Sequence, residues 1–579
     1  MKKNKIIICL ILVLTLTQAF YTPPCCALDS ETKDTEKIVI TAEEIEKMNV
    51  TDIVDLLNRF PGIEAGESSA RIHGSYDVKV LLDGRPLNDP LASYSKVKWN
   101  MVSLHYVDKI EIYKGMGAVA FGDSTSGGVI CITSKEINGK QAKIKTEWGN
   151  LKTQQHSFNA SLQAGIFGLG VSTEYYRTDG YRTNQDRDSK HMGIRTAYLP
   201  RNGPSGSISF DYTDEQRGNA GYPSYPTPHA REKSKSFATS LMMNADALTS
   251  NTYFGSYEQI SEDPDKCLYS QSEGWSAGED LSYRFTQGHL KDIAAGLSFR
   301  TDYIKGSYFD SYHEESYGLS FAKSTAFSSI PLICSFGLRA NLYSAFKTVV
   351  NPEIKLSYDL KGTRFQVSAA KTNNVPPVLK RFYESSSTRA NPFLGMEKAS
   401  NISASAAIPC GNTMETGITF FYNEIADKIV YVRDAVGSQG MYRNFGKVTR
   451  KGAIMTINWK PAQWLNIKPS YEYLAAKDEN TGLTLSGSPE HRAQFEIQYK
   501  PVSAFTATII YEYTSKQYTR SDNTEQADPY NTVELKADYS FGKWRIFGRI
   551  KNLTDKSYLY GEGLPAPPRT WLIGMSKDF

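Results

Sequence analysis

The side chains that could carry chemistry are dispersed. Eight histidines (His73, His105, His156, His191, His229, His289, His313 and His491) fall in no motif that sets a nucleophile beside a base. Seven cysteines (Cys9, Cys25, Cys26, Cys131, Cys267, Cys334 and Cys410) include no CxxC and no metal-ligand spacing. The chain is therefore read as a non-enzyme. Two acidic runs could offer hard oxygen ligands to a loop Ca²⁺, Asp186 with Asp188 and Glu262 with Asp263 and Asp265; short acidic runs are more often simply solvated. What remains is recognition chemistry. Arg71 could pair with an anionic ligand, beside Ser75 and Tyr76, and residues 88–95 (NDPLASYS) bring Asn88, Asp89, Ser93 and Tyr94. Tyr222, Tyr225, Tyr308 and Tyr312 offer rings that stack on a flat ligand or sit in a membrane interface. The glycine-rich run 115–128 lacks GxGxxG spacing and a P-loop Lys-Ser/Thr pair, so nucleotide binding is a poor reading.

These residues are spread over 579 positions, with 36 Tyr, 26 Phe and 7 Trp. A mean hydropathy of −0.42 excludes a helical membrane protein. Lys plus Arg (66) nearly balances Asp plus Glu (62), against a dedicated nucleic-acid binder. Lys2, Lys3 and Lys5 precede the apolar run 6–16, the pattern of an export signal cleaved after Ala19 or, as preferred here, after Ala27. Two regions with different patterning follow. Residues 38–137 read as a small mixed α/β unit. Thr41 is a helix cap with Glu44 at capping-box spacing. Ile53, Val54, Leu56 and Leu57 form an apolar helical face, and residues 78–82, 107–113 and 129–133 are short strands.

From about residue 138 the period changes to two. Val533, Leu535, Ala537, Tyr539 and Phe541 alternate with Glu534, Lys536, Asp538 and Ser540, and Trp571, Ile573 and Met575 alternate with Leu572, Gly574 and Ser576. Runs of this kind continue through the remaining residues, charged on one face and aromatic on the other. A soluble sandwich also alternates but seldom extends so far. Apolar-out, polar-in strands are those of an outer-membrane barrel, and about 20 residues per strand and connection allows about 22 strands. Residues 183–189, 218–229, 261–266, 307–317 and 515–529 read as loops, and 361–362 and 541–543 as short periplasmic turns.

The chain resembles the TonB-dependent outer-membrane receptors, closest in character to those for cobalamin and catecholate siderophores. Residues 52–62 (DIVDLLNRFPG), 80–88 (VLLDGRPLN) and 108–133 (DKIEIYKGMGAVAFGDSTSGGVICIT) are similar to the family's plug motifs, and 551–558 (KNLTDKSY) and 568–579 to its last two strands. The resemblance implies a transmembrane β-barrel of about 22 antiparallel strands over residues 138–579. An N-terminal mixed α/β plug domain (38–137) would sit in the lumen, preceded by a signal peptide (1–27) and a periplasmic segment (28–37). It implies energy-coupled uptake of a scarce, large ligand, a ferric siderophore or cobalamin. It also implies a TonB-type periplasmic partner, insertion by the barrel-assembly machinery, outer-membrane lipid around the wall, and a monomer.

Two features depart from the family pattern. Residues 28–37 (LDSETKDTEK) hold hardly any apolar residue, so the coupling role falls to Ile38, Val39, Ile40 and Thr41, which the first plug strand also needs. Two arginines that pair with barrel glutamates in the family read here as His73 and Lys114. The expectation is a plug held less tightly, or held by Arg71. The segment 374–394 contains no His, which disfavours haem. A plugged sensor without coupling and a passive channel are the alternative readings.

Overall fold

The N-terminal unit starts with a local hydrogen-bond exchange. The Thr41 hydroxyl accepts from Glu44 N–H at 3.3 Å while the Glu44 carboxylate accepts from Thr41 N–H at 2.9 Å, so strand β1 (Lys37–Thr41) passes directly into helix α1 (Ala42–Met48). Asp52 caps α2 (Ile53–Leu57) in the same manner, accepting from Asp55 N–H at 2.8 Å. The apolar face of α2 buries Ile53, Leu56 and Leu57 completely. The hairpin β2 (Ile63–Gly66) and β3 (Ser69–Ile72) follows. Then come β4 (Val78–Leu82), β5 (Arg85–Pro86), β6 (Val107–Lys114), α3 (Ala118–Phe121) and β7 (Gly128–Ser134). The main sheet has the order β1-β6-β7-β4-β5, which leaves β1 as an edge. Gly128 is obligatory there, because its φ is +135° and a Cβ would lie 2.1 Å from the Tyr113 carbonyl.

The computed structural model describes residues 36–91, 96–327, 329–433, 439–561 and 563–579. The export signal, segment 28–35, Ser93 and Tyr94 lie outside the described residues. From Lys140 onward 22 antiparallel strands close on themselves, Thr570–Asp578 pairing with Lys140–Gly149. The alternation read from the sequence is the alternation of the wall. Tyr539, Ile546, Trp571 and Ile573 project outward, 46–57% exposed, whereas Glu534, Lys536 and Arg549 point into the lumen and are buried. Closure leaves the wall without a free edge.

One end of the barrel carries the short turns, such as 246–247, 361–362 and 503–504, and the chain termini of the wall; the other carries the long connections 375–396, 479–490 and 552–569. Short turns mark the periplasmic side and long loops the exterior. Strand lengths vary from 8 residues (Trp544–Lys551) to 22 (Met441–Ala462). Several segments expected as loops are therefore partly strand: Arg187, Ser261 to Asp263 and Phe309 onward belong to ladders. Above the bilayer both faces of a strand meet water, so the apolar period disappears while the backbone pairing continues.

Candidate functional site: the plug, its mount and the outer mouth

The plug is fixed to one flank of the wall by charge. Arg59, at the end of α2, reaches Asp55 at 2.9 Å and Glu534 of the wall at 2.5 Å. Lys551 meets Asp55 at 2.8 Å, and Arg549, itself paired with Glu147 of the wall, approaches the same Asp55 carboxylate at 3.7 Å. Burial alone would raise the Asp55 carboxyl, but Lys551 and Arg59 outweigh it and hold it well below the usual carboxylate range. Wall cations also cap the carbonyl ends of α1: Lys536 donates to Met48 O at 2.8 Å and Arg545 to Glu46 O at 2.9 Å. Arg85, 2% exposed, pairs with Asp211 at 2.9 Å.

The two replaced arginines have different fates. His73 stacks flat on Phe421 of the wall, centroids 3.8 Å apart and planes within 7°. Burial, and then the Lys114 ammonium, hold its imidazole well below the ordinary value, so it is neutral. Lys114 donates to the Pro61 carbonyl at 3.1 Å, and burial lowers its ammonium to about 8 against the pull of Glu472 and Glu36. The wall glutamates take backbone N–H groups of the plug instead: Gly62 donates to Glu472 at 3.1 Å and Gly117 to Glu353 at 3.1 Å. Arg71 approaches Glu64 of the plug itself at 3.8 Å. It donates to Gly487 O, in an outer connection, at 2.6 Å.

The opposite flank is open. A cavity of about 1600 Å³ separates β4 and α3 from the wall. It runs from Ala247 and Thr286 at the periplasmic turns to Ser344 and Val375 at the outer connections. Its waist holds Lys79, Asp123, Asp280, Arg300 and Arg339. The contacts across it are chiefly hydrogen bonds: Tyr343 donates to Asp123 at 2.9 Å and Arg339 to Val119 O at 3.4 Å. The amides of Asn251 and Asn341, both lining this space, carry buried donors without protein partners.

At the outer mouth the structure gathers only some of the residues named from the sequence. Arg71 lies over the Tyr76 ring at 4.6 Å. Beyond the Gly487 carbonyl it grips, Gly487 packs against Gly561. Nearby, Tyr530 stacks on Tyr558 at 4.0 Å, Tyr558 meets Tyr560 at 5.7 Å, and Tyr181 donates to Pro565 O at 2.8 Å. Tyr558 ends the KNLTDKSY motif, but the sequence marks none of these four tyrosines as a ligand contact, and Tyr181 and Tyr530 lie in or beside other connections. Ser75 is instead 1% exposed, at the seam between plug and wall. Asn88 is consumed within the plug, accepting from Val80 N–H and donating to Val78 O. Asp89 is held by Lys98 at 3.0 Å. Tyr222 and Tyr225 stand on a small exposed hairpin, and Tyr308 packs against Tyr383 at 5.4 Å.

The metal reading of Asp186 and Asp188 meets competition from protein groups. Arg231 takes both Asp186 oxygens, at 2.6 and 2.8 Å, and the Tyr175 hydroxyl donates to Asp188 at 3.0 Å. No cluster of three His, Cys, Asp or Glu side chains suited to a metal occurs among the described residues. Ile38, Val39, Ile40 and Thr41 all pair with β6, Ile40 buried at 1% and Val39 exposed at 46%.

Comparison with known proteins agrees with this architecture. Residues 140–553 match the family "TonB dependent receptor-like, beta-barrel", and residues 31–129 match the "TonB-dependent Receptor Plug Domain". The vitamin B12 transporter BtuB of Photobacterium profundum is 23% identical over 573 residues, 93% of this chain and 92% of that protein. Among solved structures, a mutant of the ferric enterobactin receptor PfeA from Pseudomonas aeruginosa has a TM-score of 0.80 at 14% identity, covering 94% of this chain and 98% of that one. The copper transporter OprC has a TM-score of 0.80 at 14% identity, covering 94% and 100%. With a closed 22-stranded wall, a plug bolted into its lumen and both family profiles matched along the chain, the protein belongs to the TonB-dependent receptors of the outer membrane.

Proposed function

We propose that the protein takes up a scarce, large ligand, a ferric siderophore or cobalamin, and that a periplasmic TonB-type partner supplies the energy. The observation that carries the reading is the open flank of the plug. A cavity of about 1600 Å³ already joins the outer connections to the periplasmic turns, narrowed at α3 by a few hydrogen bonds. A passive pore would not need so much ionic anchoring on the other flank, and a pure sensor would not need the cavity. The mouth supplies selectivity. Arg71 over Tyr76, beside Tyr530, Tyr558 and Tyr560, offers a guanidinium and flat rings, which suit an anionic, aromatic complex such as a ferric catecholate. The relatives named above are a vitamin B12 transporter, a ferric enterobactin receptor and a copper transporter.

Coupling is assigned to β1. It is the edge of the plug sheet, so its outer side has backbone groups available for an added strand. Mass-spectrometric identification of ligand retained by the purified protein is the direct test. A ferric siderophore or a corrinoid, taken up by cells only when the energising partner is present, is the expected result. Ligand bound but never taken up would replace transport with sensing. A large, constant conductance of the intact protein in a planar bilayer would replace it with a channel.

A further inference from the structure

On the outside of the wall one acidic side chain faces the hydrocarbon. In the strand Leu268–Arg284 the even positions turn inward: a side chain at Gly274 would touch Leu91 of the plug, and one at Gly278 would strike Tyr253, which lines the open flank. The odd positions Trp275, Ala277, Glu279, Leu281 and Tyr283 therefore face outward. Trp275 stacks on Phe254 and Tyr303 at 6.3 and 6.0 Å, an aromatic girdle toward the exterior, and Tyr283, 42% exposed, marks the periplasmic side. Glu279 is four residues from each, about 13 Å along the strand at about 3.3 Å per residue. In an apolar band about 25 Å tall, its carboxylate lies near mid-depth. Among the described residues it is the one outward wall charge whose outward neighbours two and four positions away, in both directions along the strand, are all apolar or aromatic.

The wall only partly satisfies this group. Ser250 donates to one oxygen at 2.6 Å, and Thr252, directly opposite in register, donates to the other. A carboxylate can accept about four hydrogen bonds, so accepting capacity remains on the lipid side, where acyl chains supply no donor. An ionisable side chain at this depth is costly in lipid, and such groups normally face protein. The surroundings let another surface come close. Ala277 and Thr252 are small, and Leu241, Phe254 and Phe299 form a rim around them. Further hydroxyls stand on the same face, Thr239 opposite Phe254 and Ser256 opposite Trp275.

We infer that this face is where two copies of the chain meet across a two-fold axis in the membrane, in place of the monomer that the family resemblance implies. The patch carries its own complement. It presents an acceptor, Glu279, and hydroxyl donors, Thr239, Thr252 and Ser256, so the same surface on a second copy can supply what the first lacks. Any other sector of a second copy would not serve. At this depth the outward faces elsewhere are apolar, as with Leu338, Ile354 and Val367, and would leave the carboxylate without a donor. The contact is on the outside of the wall and is independent of the ligand taken up through the lumen.

Single-cysteine crosslinking in intact outer membranes tests this, because a residue beside a two-fold axis meets its own copy. In a background with Cys267, Cys334 and Cys410 replaced by serine, Ala277→Cys should give on oxidation a band of twice the chain's mass. Val367→Cys, on a distant sector of the wall, should not. Adding Glu279→Leu should lower the yield about tenfold or more, the scale of a lost hydrogen bond to a charged group. Adding Glu279→Gln, which keeps an acceptor, should retain the band. Heat-modifiable gel migration confirms that each variant is folded. Absence of the band, an equal band from Val367→Cys, or an unchanged yield with Glu279→Leu overturns the assignment. A crosslink from Ala277→Cys to a different protein would give the face to that partner and likewise overturn it.

Discussion

Arg59 and Glu534, 475 positions apart in the chain, meet at 2.5 Å inside the barrel. Both are shielded from water, and Asp55 completes the pair at 2.9 Å from the same guanidinium. This contact joins plug to wall, and its removal is the most direct test of how the plug is held. Arg59→Met removes a cation shared by two buried carboxylates that Lys551 and Lys536 still neighbour, so the loss should fall below the about 3–5 kcal/mol of a buried pair left with no counter-charge. In urea, Trp99 fluorescence should report plug release at lower denaturant than in the wild type, while heat-modifiable gel migration shows the barrel intact. A combined Arg59→Met, Glu534→Gln variant should recover part of the loss. Unchanged release in both would show that the pair contributes little.

Lys114 gives the seating of the plug a pH dependence of predictable sign. Its ammonium is at about 8 in the folded protein against an ordinary value of 10.5. Between those limits the released plug binds more protons than the seated one, so stability rises with pH across that window. Below about 8 both states are protonated and the full penalty of burying the charge is present. Lys114→Met should raise resistance to urea near neutrality and flatten the slope between pH 8 and 10.5. A slope that survives the substitution assigns it to another group.

Gly128 sits where no side chain fits. Gly128→Ala would force its methyl into the Tyr113 carbonyl and hold φ near +135°, a cost of about 2 kcal/mol or more. The expected phenotype is a protease-sensitive plug inside an intact barrel. Wild-type protease resistance would mean that β6 and β7 can part without consequence.

The mouth makes a separable prediction. Arg71→Gln should weaken binding of a ferric catecholate by about tenfold, the scale of one charge-assisted contact. Tyr558→Ala should do the same through lost stacking on Tyr530 and on the ligand. Equilibrium binding to purified protein measures both. Tyr225→Ala, on the detached hairpin, should leave affinity unchanged.

Coupling through β1 predicts a different pattern. Proline is tolerated on an edge strand but removes a donor that an added strand would use. Val39→Pro should therefore leave ligand binding and plug seating intact while abolishing uptake and the site-directed crosslink to the periplasmic partner. Uptake at the wild-type rate would place the coupling segment elsewhere.

Much of this architecture could be read from residue order alone. Thr41 and Glu44 announce a helix start because capping is local, and Val533 to Phe541 announces a wall strand because period two maps onto two faces. Arg59 could not be singled out, since nothing near it in the chain points to Glu534. Asn88 and Asp89 line the open flank, where Asn88 also bonds the β4 backbone and Asp89 holds Lys98, partners that a reading of the turn alone does not give. Ser75 is covered by the wall, and that cover is contributed by strands hundreds of residues downstream. The mouth tyrosines come from three separate connections and strand ends, so their proximity is a property of closure.

Strand length has a geometric consequence for approach. At about 3.3 Å per residue, the Met441–Ala462 strand extends far beyond the Trp544–Lys551 strand, 22 residues against 8. The rim is consequently oblique, like a cut reed, with its low side near the closing seam. The 552–569 connection, with Tyr558 and Tyr560, rises from that low side. A bulky solute diffusing in over the cell surface is screened by the tall side and meets those rings first.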